Sequence, residues 1–438
     1  MTSSPPPPKD RAPAVESPAS DPGLTRARRL LASPIVRHNI LYMVGISVSG
    51  FGVLLAQSYA AHHLTAAQNG ESTSVVAVLN LLYTTAFVVA AGAARQVAAT
   101  VARGVPASER WADLRASALR IGLALAGVMI PVDFLLAFLL HLPHPEVLAV
   151  AVVAGPLTAY AGVQRGYLQG ARDFRRLAVN LVLYGGTVVI VAVLLLLLHF
   201  GSAAVPIATV GGVAASAAYP RHRGAHLRRA SGHSGRLVDY SLVAGAATAP
   251  LFNNIDVVTA RHVLTPRGAG LYSGLSVMGK IIFFGTSSLS AVMYPRVAAA
   301  ATASARRKLL LQALMALSAV DGLALLGYWL LSPHLLKIVL GSQYAQDSTL
   351  LPIFAIGVVG LTFVNMFVYY GMGARIRHFA IVPAIGVPAL IGWLFSSPPS
   401  ISEFVPRIAS ALVLLAVLEA VLILPAMFRS QERTSAGS

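Results

Sequence analysis

Twelve apolar runs, each about the length that a bilayer-crossing helix needs, occupy the chain from residue 39 to residue 427. They lie at 39–60, 74–94, 119–141, 146–163, 178–199, 203–219, 239–262, 270–293, 309–331, 350–372, 379–396 and 405–427. A hydrocarbon core offers the backbone no water, so such runs fold as helices that satisfy their own hydrogen bonds. They leave no room in 438 residues for a sizeable soluble domain, and a mean hydropathy of +0.70 agrees. The expected class is an all-α polytopic membrane protein with twelve transmembrane helices.

Charge gives the same count independently. Of the 33 Lys and Arg residues, 28 fall on one side: before the first run, between runs 2 and 3, and after runs 4, 6, 8, 10 and 12. The other side carries only Arg261, Arg267, Lys337 and Arg407, with Lys280 inside a run. A missed or extra helix would scramble this alternation. By the positive-inside rule both termini are cytoplasmic, and the expected location is the cytoplasmic (inner) membrane. The net charge of +17 is then a topology signal, and no nucleic-acid partner is expected. There is no cysteine, hence no disulfide framework and no thiol chemistry.

The runs also divide into halves. Run 1 starts near 39 and run 7 near 239, and local sequence repeats at nearly the same offset. Arg95-Gln96-Val97-Ala98-Ala99 is echoed by Arg296-Val297-Ala298-Ala299-Ala300, and Gly170-Ala171-Arg172 by Gly373-Ala374-Arg375. A duplicated unit with an even number of helices keeps its orientation, so the halves form a parallel pseudo-repeat: two six-helix bundles around a central cavity, able to rock for alternating access. The expected organisation is a disordered cytoplasmic tail over 1–35, an N-terminal bundle over 36–219, and a cytoplasmic linker over 220–238. A C-terminal bundle over 239–427 and a cytoplasmic tail over 428–438 complete it.

Ionisable residues inside apolar runs are costly and point to function. Runs 7 and 8 carry Asn253, Asn254, Asp256, Arg261 and Lys280. Ser273, Lys280, Ser287 and Tyr294 recur every seven residues, which keeps them near one helix face and suggests a polar stripe turned to a cavity. The alternative is that Lys280 pairs with Asp256 and fixes two helices. Arg261, near the outer end of run 7, is either a cavity cation or a snorkelling side chain. Asp133, Asp321 and Glu419 are candidate acids for ion coupling, or neutral packing residues. Asn80, Tyr83 and Thr84, with Asn365, Tyr369 and Tyr370, could bond or stack on sugars, or join helices.

Gly274 to Lys280 matches the spacing of a phosphate-binding loop, but it lies inside an apolar run and Ile281 follows the lysine. Gly270 and Gly274 read instead as a close helix contact. Seven histidines near the outer face (His62, His63, His141, His144, His199, His262 and His334) lack carboxylates at ligand spacing, so no metal and no cofactor is expected.

Several segments together resemble the multidrug/oligosaccharidyl-lipid/polysaccharide exporter superfamily, most closely its bacterial polysaccharide transporters, the O-antigen and exopolysaccharide flippases. They are Arg165-Gly166-Tyr167-Leu168-Gln169-Gly170 with Phe174, Asn253 with Asp256, Ala269-Gly270-Leu271-Tyr272, Lys280, Tyr294-Pro295-Arg296 and Gly341-Ser342-Gln343-Tyr344. The resemblance covers residues 35–427. It implies a V-shaped pair of bundles that moves an undecaprenyl-diphosphate-linked glycan across the cytoplasmic membrane, without covalent chemistry or an ATP site. Lys280, Arg261 and Arg165 are then the candidate cations for the diphosphate, with Asp256 balancing Lys280. A monomer among membrane lipids is expected, with polysaccharide assembly proteins as partners. The first run has neither Arg nor Asp, unlike lipid II flippases and many drug antiporters, and two further C-terminal helices of the lipid II branch are absent. The competing expectation is a cation-coupled multidrug antiporter of the same superfamily. A membrane glycosyltransferase would need a larger catalytic loop than the chain offers.

Overall fold

The computed structural model describes residues 34–219, 240–376, 379, 381–396 and 400–435. The linker expected at 220–238 and residues 1–33 of the expected N-terminal tail lie outside the described residues. Twelve helices account for most of the rest. The first six are α1 (Pro34–His63), α2 (Ala66–Ala102), α3 (Trp111–Leu139), α4 (Ala149–Gly170), α5 (Phe174–Leu197) and α6 (Ala204–Ala218). They are followed by α7 (Tyr240–Val263), α8 (Pro266–Ala299), α9 (Ala303–Leu340), α10 (Leu350–Ala374), α11 (Ile381–Phe395) and α12 (Ile401–Ser435). Among the described residues, ten helices are long and apolar enough to cross a membrane, and α11 is a shorter apolar helix. The protein is a multi-pass membrane protein, and α12 continues through Ser435 into the segment expected as a tail.

Five helix pairings recur in both halves, although α8 also packs on α9 while α2 and α3 barely touch. In the first, α1 packs on α5, α2 and α3 on α4, and α6 on α4 and α5; in the second, α7 packs on α11, α8 and α9 on α10, and α12 on α10 and α11. Every pair in the second list is the first shifted by six helices, so the duplication is one of topology as well as of sequence. Helix starts follow it too. Thr65 caps α2 by accepting from the Gln68 amide at 3.3 Å, and Thr265 caps α8 by accepting from the Gly268 amide at 3.2 Å.

Within each lobe small residues set the spacing. Gly162, Gly166 and Gly170 lie along one face of α4 against α2; a Cβ on Gly166 would lie 2.2 Å from the Ala90 carbonyl oxygen. This close approach brings Arg165 beside Tyr83 of α2. The outer helices α3 and α9 present large apolar side chains outward, Phe134 at 78% and Trp329 at 71% exposure. Such a surface suits lipid and not water.

The lobes meet mainly through α2 against α7 and α8, with α1 touching α8 and α9. Residues 69–79 of α2 and 272–280 of α8 are buried on all sides. Beyond them each helix keeps one open face, carrying Phe87 and Arg95 on α2 and Ile281, Phe284 and Gly285 on α8. The lobes are thus joined at the arginine-poor end and part toward the arginine-rich end, leaving a cleft between them.

Candidate functional site

Each lobe buries a polar centre that includes a cation from the sequence-predicted set. In the N-terminal lobe it is built on Arg165, which the glycine face of α4 holds against α2, α5 and α6. Its Nε donates to the Asn180 side-chain oxygen at 2.9 Å, Nη1 donates to the Tyr83 hydroxyl, and Nη2 donates to the Ser216 hydroxyl at 3.4 Å. The guanidinium carbon lies 5.4 Å and 5.5 Å from the ring centres of Tyr83 and Tyr184, which stack on each other at 5.6 Å. Asn180 in turn donates to the Ser216 carbonyl at 2.7 Å. Every partner is neutral, and among the described residues no carboxylate pairs with this arginine. Hydrogen bonds and ring faces hold the guanidinium, yet its charge is left without a counter-ion. Tyr83 is half-buried and meets Phe87, at the open face of α2, edge to face at 5.6 Å.

The C-terminal centre is made by α7 and α8. Asp256 accepts from the Tyr272 hydroxyl at 2.6 Å through Oδ2, while Oδ1 has no partner. Lys280 and Asp256 are both buried and interact electrostatically, but no ion pair joins them directly. They line a cavity of about 10 Å³, room for roughly one water molecule, together with Asn253, Ser276, Phe354 and Val358. Phe354 and Val358 belong to α10, so this centre faces the interior of its own lobe.

That placement corrects the expected stripe. Ser273 and Lys280 are buried, and the Ser273 hydroxyl donates back to the Ala269 carbonyl at 2.8 Å. Only Ser287, half-buried and bonded to the Phe284 carbonyl at 3.0 Å, and Tyr294, 37% exposed, lie where the face opens. Seven-residue spacing drifts around a helix, and α8 changes from buried on all sides to one-sided midway. Arg261 is not in the cleft either. It donates to the carbonyls of Leu140, the C-cap of α3, at 3.1 Å and of His141 in the following loop at 3.3 Å, and is 3% exposed, so it does not snorkel.

Asn80 spans the lobes, donating to the Asn254 side-chain oxygen at 3.1 Å, and Asn365 is buried in α10. The three further acids stay apart from both centres. Asp133 has both oxygens unpaired in α3. Asp321 accepts from the Thr362 hydroxyl at 2.7 Å with one oxygen free, and Glu419 is fully buried with neither oxygen paired. Among the described residues no three His, Cys, Asp or Glu side chains gather as a metal site.

Sequence reasoning missed Asn180, Tyr184 and Ser216, and also Glu71, which is buried in α2 and accepts from the His144 amide at 3.1 Å. A signal for the lobe contact was present. His62, Leu64, Thr65 and Gly70 recur as His262, Leu264, Thr265 and Gly270 at an offset of 200.

No protein-family model matches the chain, and no curated protein sequence matches it significantly. Solved structures do. An inward-facing multidrug resistance MATE family transporter of the MOP superfamily is similar over 89% of this chain and 99% of its own, with a TM-score of 0.75 and 12% identity. An outward-facing MATE transporter gives a TM-score of 0.65 at 14% identity, over 92% and 98%. A MOP superfamily transporter from Pyrococcus furiosus, described as having a binding pocket of reverse polarity that suggests a different function, gives 0.60 at 15%, over 91% and 96%. The chain therefore has the two-lobe helical-bundle fold of MATE transporters.

Proposed function

We propose that the protein is a transporter working by alternating access, and that its cargo is an anionic lipid-linked oligosaccharide moved across the cytoplasmic membrane. The observation that carries the cargo class is Arg165: a buried cation with hydroxyl, amide and ring partners and no carboxylate. Burying an uncompensated charge is expensive, and the expense makes sense where a visiting anion supplies the missing charge. A diphosphate offers oxygens that a guanidinium bonds in its own plane, and Tyr83 and Tyr184 supply ring faces beside it. With the arginine-rich end cytoplasmic by the positive-inside rule, the cleft opens toward the leaflet where such precursors would be loaded.

Cation-coupled multidrug antiport is the second reading. It draws on the multidrug MATE members among the similar structures and on Glu419, a fully buried carboxylate without a protein partner. The neighbours by name favour this reading, whereas the charge of the N-terminal centre favours the first. Reconstituted protein decides. Movement of a fluorescent polyprenyl-diphosphate oligosaccharide across liposomes, lost in Arg165→Ala, supports the flippase. Proton-dependent uptake of cationic dyes, with no effect on the diphosphate, supports the antiporter and removes the first reading.

A further inference from the structure

At the arginine-poor end, beside the Asn69–Tyr344 hydrogen bond of 2.8 Å between α2 and the segment before α10, the repeat places two docks in equivalent positions and builds them from different chemistry. In one, the last turn of α7 meets the end of α3. Arg261 donates to the Leu140 and His141 carbonyls at 3.1 Å and 3.3 Å, and His262 Nδ1 donates to the Leu139 carbonyl at 2.6 Å. In the other, α1 meets the end of α9. The Ser58 hydroxyl donates to the Val339 carbonyl, and Gln343 Nε2 donates to the Ala61 and Leu64 carbonyls at 2.9 Å and 3.0 Å.

The last carbonyls of a helix have no partner within it and carry the negative end of its dipole. A guanidinium at that end, here on the C-cap carbonyl of Leu140 and on His141 just beyond it, therefore binds more strongly than a hydroxyl or an amide does. Glu71, buried in α2, lies within electrostatic range of Arg261 and adds to the charge that α7 meets in the opposite lobe. We infer that Arg261 is the latch that sets how often the lobes part at this end: a positioning residue for gating and not a ligand for cargo. The neutral Ser58–Gln343 dock closes behind it. This rests on the alternating-access reading and is independent of the cargo.

Because the chain has no cysteine, a single introduced thiol reports opening. Thr73→Cys suits this purpose, since Thr73 is buried on α2 between Gly70, which abuts Gly270, and Ala77, which packs in the core of the other lobe. Its rate of modification by a membrane-impermeant maleimide follows the open population. In that background Arg261→Ala raises the rate about tenfold, as loss of a charge-assisted fork requires, while Ser58→Ala raises it less than about threefold. Ala192→Cys, buried inside the N-terminal lobe, reports unfolding and stays slow. If Arg261→Ala also exposes Ala192→Cys, the milder Arg261→Lys decides: faster labelling at Thr73→Cys alone supports the latch, and no change overturns it. Arg261→Ala labelling no faster than Ser58→Ala likewise overturns it. Cargo movement with unchanged labelling removes the latch and keeps transport; faster labelling in a protein that moves no cargo keeps the latch and removes the transport reading.

Discussion

Both lobes bury a cation at the heart of a six-helix bundle, but they resolve its charge in opposite ways. Lys280 shares its small cavity with Asp256, so the C-terminal centre is close to neutral as a unit and has space for little more than a water molecule. Arg165 has two tyrosines, an asparagine and a serine, and no acid. A duplicated fold has thus produced one self-compensated centre and one that stays electrically incomplete. A structural role asks for the first arrangement; recognition of an anion asks for the second.

The largest effect should come from Arg165→Ala. It removes the charge and leaves buried hydroxyl and amide groups unpaired, so transport in proteoliposomes is abolished and the unfolding temperature in detergent falls. Arg165→Lys keeps the charge without the fork; it should retain the fold and about a tenth of the transport rate. Equal transport in both variants would break the contrast between the lobes. Lys280→Ala comes next. Asp256 then keeps its Tyr272 hydrogen bond but loses the nearby cation, a loss read as thermal destabilisation, and Lys280→Met with Asp256→Asn recovers most of it. If the doubly neutral variant is stable yet inert in transport, the C-terminal centre does more than pack.

Gly166→Val should push α4 away from α2 and displace Arg165, at about 1–3 kcal/mol, with a loss of transport out of proportion to the loss of stability. The smallest effect belongs to Asn80 and Asn254. A double-mutant cycle on interlobe stability should give a coupling of about 0.6 kcal/mol, since a membrane-embedded amide finds other partners when one is removed. A coupling several times larger would make this pair a principal lobe contact rather than a minor one.

Much of the fold was legible because bilayer helices declare themselves locally. Twenty apolar residues, alternating arginines and a 200-residue echo require no knowledge of what touches what. The Arg165 centre was half legible: the Arg165–Gly170 segment marked the arginine and its glycines, while Asn180, Tyr184 and Ser216 are ordinary residues until packing brings them together. For Lys280 the sequence left two readings, a stripe on a cavity face or a partner for Asp256, and a heptad stripe assumes a helix with one wet side. In α8 the relevant stretch has no exposed side at all. Arg261 could not be read correctly from its own helix, because its partners are carbonyls at the far end of α3, supplied by helix geometry and not by any side chain.

The glycine contact between the lobes has a kinetic meaning. A Cβ on Gly270 would lie 1.8 Å from the Ala66 carbonyl oxygen, and one on Gly70 would lie 2.8 Å from Gly270 Cα, so backbone touches backbone there. The neighbouring Asn69 side chain donates to the Tyr344 hydroxyl across the lobes at 2.8 Å, so on the alternating-access reading a pivot at the glycines would have to break or carry that bond. On the alternating-access reading, the contact would act as a bearing between the lobes. Under that reading, the polar docks would set the populations and the close backbone contact the path between them, two properties that mutation could tune separately.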